Sequence, residues 1–250
     1  MNELPDNAGI TIFAGRFGSG KTEAAINYAL ALAREPRGQA PDSGSDAQDK
    51  VQNTGEQKVN PVILIDLDIV TPYFRSREMA ERIRRHGVDV IAPSVIGQHI
   101  HTPAITPQIL GAIQQPERPV VLDVGGDRQG ARALGQFSAA IRQRGYTMHF
   151  VVNPYRPFTD TLEGLTNSIS EIEASARLRA TSLVSNPNLM NETRAEQIYE
   201  GHAKINEYAR ALNISIAFVC LERHWVNRID PGHFAQPTLI VDRHFVQSWE

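Results

Sequence analysis

Gly15-Arg16-Phe17-Gly18-Ser19-Gly20-Lys21-Thr22 has the spacing G-x-x-x-x-G-K-T. It stands between the apolar run Ile10 to Ala14 and an alanine-rich helical stretch that continues to Ala33. A strand, a glycine-rich loop and a helix in that order leave the chain few ways to begin. The backbone N–H groups of such a loop curl around a row of phosphates, and the helix that follows presents its positive end to them. Gly15, Gly18 and Gly20 permit the turns, with Arg16, Phe17 and Ser19 completing the cradle. Lys21 is expected to reach the β- and γ-phosphates, and the Thr22 hydroxyl to hold Mg²⁺.

Beyond this unit, apolar runs alternate with helical patterns. Val62 to Ile65, Val88 to Ile91, Pro119 to Leu122, Tyr146 to Val152, Ala180 to Val184, Ile214 to Leu221 and Leu239 to Val241 read as strands. Helices are expected from about Arg77 to His86, Pro107 to Gln114, Ala131 to Arg144, Thr159-Asp160 to Arg177, and Glu192 to Leu212. This order predicts an α/β fold, a mostly parallel sheet with helices on both faces, in which ligands bind beyond the carboxyl ends of the strands. Residues 1–250 read as a single domain. Residues 35–60, rich in Gly, Pro, Ser, Asp, Gln and Asn, carry too little apolar surface to order themselves and read as a disordered insertion.

A net charge of −3 gives no electrostatic case for nucleic acid or an anionic membrane. The arginines at 75, 77, 82, 84 and 85 read as a solvated helix face. The one cysteine, Cys220, lies in an apolar run and reads as a small buried hydrophobe, which excludes internal disulfides and cysteine-based metal clusters. No run is long enough to span a membrane and no signal pattern opens the chain, so the cytoplasm is the expected compartment.

Two acidic clusters stand at predicted strand ends. Asp123 follows Val120-Val121-Leu122 and begins a D-x-x-G sequence. It is a candidate Mg²⁺ residue, and the Gly126 amide a candidate sensor of the terminal phosphate. Asp66 and Asp68 would share a face of an extended strand, one to contact Mg²⁺-bound water and the other to orient the attacking water. His99 and His101 lack the further ligands that a metal site normally requires. The segment Thr71 to Arg77 would suit a partner-facing switch or an ordinary loop equally well.

The loop Gly15 to Thr22, the segment Ile65 to Asp68 and the segment Leu122 to Gly126 resemble the CobQ/CobB/MinD/ParA nucleotide-binding proteins. That family belongs to a broader group of P-loop ATPases and GTPases that includes nitrogenase iron protein and the signal recognition GTPases. The order of elements agrees from about Gly9 to Leu221. The resemblance implies a Mg²⁺-ATP-binding ATPase, a nucleotide-dependent homodimeric switch acting on a protein partner. It implies Asp66 and Thr22 near the metal with Asp123, Asp68 as the water-positioning residue, and Asn186 at the adenine. Arg16 occupies the place where many members carry a lysine that crosses to a partner's nucleotide, and Phe17 a place where many have glycine. No N-K-x-D sequence of the GTPase kind follows a late strand, which favours ATP. A small-molecule kinase or amidating ligase, and a nucleotide-binding module with little turnover, are the alternatives within the same group.

Overall fold

A computed structural model describes residues 9–34, 62–68, 77–92 and 107–244. The predicted insertion at 35–60, His99 and His101, and the Thr71 to Ser76 part of the suspected switch segment lie outside the described residues.

The first strand, β1 (Ile10–Ala14), leads through the glycine loop into α1 (Lys21–Arg34). There follow β2 (Val62–Leu67), α2 (Arg77–Arg84), β3 (Val88–Ile91), α3 (Pro107–Gln114) and β4 (Val120–Val124). Next come α4 (Arg128–Gly135), α5 (Ser138–Arg144), β5 (Tyr146–Val152), α6 (Leu162–Ala176) and β6 (Ser182–Ser185). The chain closes with α7 (Ala195–Leu212), β7 (Ile216–Glu222) and β8 (Thr238–Val241). The eight strands form one sheet in the order β3-β2-β4-β1-β5-β6-β7-β8, and every neighbouring pair is parallel.

The apolar runs are strands because both faces of the sheet are covered. On one face Ile12, Leu122, Met148 and Phe150 pack against α3 to α7. On the other, Phe13, Leu64, Val121 and Val151 pack against α1 and Ile83 of α2. α1 buries ten of its residues, which explains why alanines line it nearly all round. Among the predicted arginine run, Arg82, Arg84 and Arg85 are exposed, as a solvated helix face should be. Cys220 is buried, and burial pushes its thiol pKa up.

The sequence pattern misplaced three helix ends. The helix expected over 131–144 is two helices. Gly135 lies so close to the Ser175 carbonyl that an added Cβ would stand 2.6 Å from it, and the chain turns there to bury Phe137. The helix expected to begin at Thr159-Asp160 begins after Thr161, whose hydroxyl accepts from Gly164 N–H at 3.1 Å. Thr159 is buried instead, donating to the Asn153 carbonyl at 2.6 Å. The helix expected from Glu192 starts at Ala195, because residues 190–192 form a separate 3-10 turn.

Candidate functional site

The carboxyl ends of β2, β4 and β1 lie side by side, and register decides which side chains meet there. Asp66 pairs with Asp123, and Asp123 with Phe13, so two carboxylates stand on adjacent strands level with the residue two before the glycine loop begins. The loop turns back over them. Gly15, Gly18 and Gly20 have φ of +151°, +75° and +83°, conformations that side-chain-bearing residues rarely adopt. Ser19 N–H closes the turn on the Arg16 carbonyl at 3.1 Å. Lys21 and Thr22 then fall in the first turn of α1, where the helix N–H groups are open to an anion.

Lys21 is only 5% exposed, and its Nζ stands 4.0 Å from Asp68 Oδ2. Asp66 is fully buried and accepts the Asp68 backbone N–H at 2.8 Å, a local turn that swings Asp68 off the strand line. Asp123 is the anomaly. Both of its carboxylate oxygens are buried and neither meets a partner at full hydrogen-bond geometry, the Thr22 hydroxyl being near enough only to temper its pKa. Burial pushes its pKa up to about 7, with Asp66 and Asp68 adding to the rise while Lys21 and Thr22 oppose it. Unpartnered buried carboxylate oxygens are rare and costly. Here they face a threonine hydroxyl and two further carboxylates, oxygen donors that fit Mg²⁺, which binds through one or two carboxylates plus phosphate and water, while the Lys21 ammonium beside them suits the phosphate. Among the described residues no group of three or more His, Cys, Asp or Glu is arranged to hold a metal ion.

Gly126 follows Asp123 onto the loop. A Cβ there would stand 2.7 Å from Phe17 N and 3.0 Å from Arg16 C. The turn after β4 therefore rests on the glycine loop. Phe17 itself points outward, 79% exposed.

Arg16 is tied to α6. Its Nε donates to Ser168 Oγ at 2.9 Å, its NH2 group to Glu171 Oε2 at 2.6 Å, and its guanidinium sits 5.3 Å from the centre of the Phe158 ring. Glu171 also accepts from Arg128 Nε at 2.9 Å, and the two arginines hold its pKa down, Arg16 foremost. Asn186 lies on the other side of the loop. Its Nδ2 donates to the Ser19 carbonyl at 2.7 Å, and a Cβ on Gly20 would collide with it at 2.2 Å. Asn186 thus braces the loop and leaves its Oδ1 as an acceptor. Beside it a narrow cavity of about 80 Å³ is lined by Gly18, Gly20, Arg156, Asn186, Asn188 and Glu222, among others. Within it Glu222 accepts from Asn188 at 2.8 Å and from Arg243 at 2.9 Å. A larger cavity, about 960 Å³, opens between α6 and α7 near Thr181 and Ile214, and none of the predicted site residues lines it.

Sequence reasoning missed Arg156, Ser168 and Glu171. Arg156 has a buried, unpartnered Nε beside Gly18, and its place just after the end of β5 was the available signal. Ser168 and Glu171 lie more than 150 residues from Arg16 in a helix whose pattern marks only its apolar face, so nothing local marked them.

No family model matches this chain, and no curated protein does. Solved structures do. Cell division protein FtsY from Thermotoga maritima is 17% identical with a TM-score of 0.50, over 87% of this chain and 63% of that one. Chloroplast FtsY from Physcomitrella patens is 13% identical with a TM-score of 0.50, over 87% of this chain and 60% of that one. The chain spans about three fifths of the length of these proteins, and at such identities the likeness is one of fold. The eight-stranded parallel sheet with flanking helices, opened by a glycine loop, is the fold of the P-loop NTPases.

Proposed function

We propose that this chain binds a Mg²⁺-nucleoside triphosphate, with ATP as the preferred base, and hydrolyses it as a switch acting on a protein partner, in the manner of the CobQ/CobB/MinD/ParA proteins. The observation that carries the reading is Asp123, whose buried and unpartnered oxygens stand beside Lys21 and Thr22 at the foot of the glycine loop. Thr22 and Asp123 would hold the cation, with Asp66 on its water shell. Mg²⁺ supplies charge neutralisation of the β- and γ-phosphates. Lys21 neutralises the terminal phosphate, and Asp68, 4.0 Å from Lys21, orients the attacking water. Gly126, packed on Phe17 and Arg16, senses departure of the γ-phosphate.

The preference for ATP rests on the cavity beside Asn186. A guanine presents N–H donors that call for an acceptor carboxylate, and Glu222 there already takes Asn188 and Arg243 on Oε1 and has His224 Nδ1 3.2 Å from Oε2. The Asn186 Oδ1 suits the amino group of adenine. Arg16 would serve a second copy's phosphates, or its own, only after leaving Glu171. Calorimetric titration with ATP and with GTP, each with and without Mg²⁺, tests the reading. ATP should bind more tightly than GTP, and only with the metal. In single-turnover assays Asp68→Asn should keep ATP affinity and slow hydrolysis about a hundredfold, the range of a lost water-positioning group. Tighter GTP binding would overturn the base assignment, and failure of both nucleotides to bind would overturn the function.

A further inference from the structure

The outer face of α4, α5 and α6 carries five exposed arginines, Arg128, Arg132, Arg142, Arg177 and Arg179, in a chain whose net charge is −3. Two adjoining grooves run along it, about 570 and 550 Å³, which share Ala174 and Arg177. The first lies between α4 and α6 and is lined by Arg128, Arg132 and Arg177. The carboxylates lining the two grooves are Glu171 and Glu173, and both are already engaged. Glu171 is shared by Arg16 and Arg128, while Glu173 takes Arg179 at 2.8 Å and the Ala180 N–H at 2.9 Å. Arg128 and Arg179 are thus paired, while Arg132, Arg142 and Arg177 make no ion pair with the described residues, so the face remains a strip with an excess of positive charge.

We propose that this strip docks an acidic peptide segment of a partner protein. Arginine forks pair carboxylates with two parallel hydrogen bonds, and the two grooves adjoin, so that one segment can meet arginines in both. Five arginines on a chain of net negative charge are too few for nucleic acid, which calls for a strongly basic domain. The strip is also wired to the glycine loop. Arg128 stands in the first turn of α4, five residues after Asp123, and Glu171 holds Arg128 with one oxygen and Arg16 with the other. A carboxylate arriving in the groove competes with Glu171 for Arg128. Released from Arg128, Glu171 holds Arg16 the more firmly to α6. Occupancy of the groove therefore opposes any use of Arg16 at phosphate, and by linkage nucleotide that draws on Arg16 weakens the peptide. This coupling rests on the proposed nucleotide function, whereas the docking does not.

The test is fluorescence anisotropy of a fluorescein-labelled poly-glutamate peptide with the full chain, first without nucleotide. Saturable binding that weakens steeply with salt is expected. The double variant Arg132→Glu/Arg177→Glu should lose at least about tenfold in affinity with an unchanged melting temperature, since both side chains are exposed. No saturable binding, or binding indifferent to the reversal, overturns the docking site. A single-stranded RNA of equal charge binding as tightly as the peptide overturns the choice of partner. With Mg²⁺-ATP present, the peptide should bind several-fold more weakly to wild type and equally well to Glu171→Ala. Equal effects of nucleotide on both proteins overturn the coupling and leave the docking result standing. If ATP does not bind at all, the nucleotide reading fails and the titration without nucleotide still decides the groove.

Discussion

Along the ends of β2, β4 and β1, three aspartates and a lysine are buried together, and neither oxygen of Asp123 meets a partner at full hydrogen-bond geometry. Along β5 and β6, buried polar groups are just as frequent but most are closed on one another, the neutral His149 Nε2 being an exception. His202 meets Ser185 at 3.0 Å and Asn206 at 2.8 Å, and Asn153 spans the Asn188 carbonyl and the Tyr155 N–H. His149, held by Ser182 at 2.7 Å among the rings of Phe13, Tyr28 and Phe218, is like His202 pushed down to about 4 by burial, so both imidazoles are neutral at pH 7. The same sheet thus buries charge at the ends of β2, β4 and β1 and neutral, largely satisfied polarity along the adjoining β5 and β6. Burial with partners is how a fold tolerates a polar group, and burial without them marks a place shaped for something that arrives later.

The difference is most sharply broken at Lys21. Lys21→Ala should remove the cation that faces the carboxylates and abolish the thermal stabilisation given by Mg²⁺-ATP, a loss of about a hundredfold or more in affinity. A variant stabilised as strongly as wild type would show that the charged end is no phosphate site.

Asp123 gives a pH signature opposite in sign to that of the paired half, where His149 and His202 add stability as pH rises from about 4 to about 6.5. The pKa of Asp123 is near 4 in the unfolded chain and about 7 when folded. The folded state therefore holds the proton more tightly, and the stability this confers is complete below about pH 4 and is lost as pH rises through about 7. The melting temperature of Asp123→Asn should therefore gain on that of the ligand-free wild type from pH 5 to about pH 8, since His149 and His202 contribute equally to both proteins, and the variant should lose its response to Mg²⁺. Melting curves at a series of pH values decide it, and a wild-type slope unchanged in the variant would count against Asp123.

The smallest effect belongs to the other half. Ser185→Ala removes one partner of His202 and should cost about 1 kcal/mol in urea unfolding with no change in nucleotide affinity. A change in affinity would mean that the two halves are less separate than their hydrogen bonds indicate.

Much of the fold was legible because strand and helix leave periodic marks in a sequence. The run Ile10 to Ala14, the loop to Thr22 and the alanine-rich α1 lie where the pattern put them. Helix ends were less legible where contacts distant in sequence decide them. Gly135 breaks a helix because of the Ser175 carbonyl, and Thr159 gives up a cap to serve the Asn153 carbonyl.

At the site, the residue types and their spacing were written in the chain. Lys21, Thr22, Asp66, Asp68 and Asp123 could be chosen from strand-end position and local motif alone, since each stands within a few residues of the strand that delivers it. What each of them meets was decided by tertiary structure. Register sets Asp66 beside Asp123, burial raises the pKa of Asp123, and the packing of α6 turns Arg16 onto Ser168 and Glu171. Local sequence governs backbone conformation over a few residues. Desolvation and charge pairing depend on which distant segments the closed sheet brings within a few ångströms.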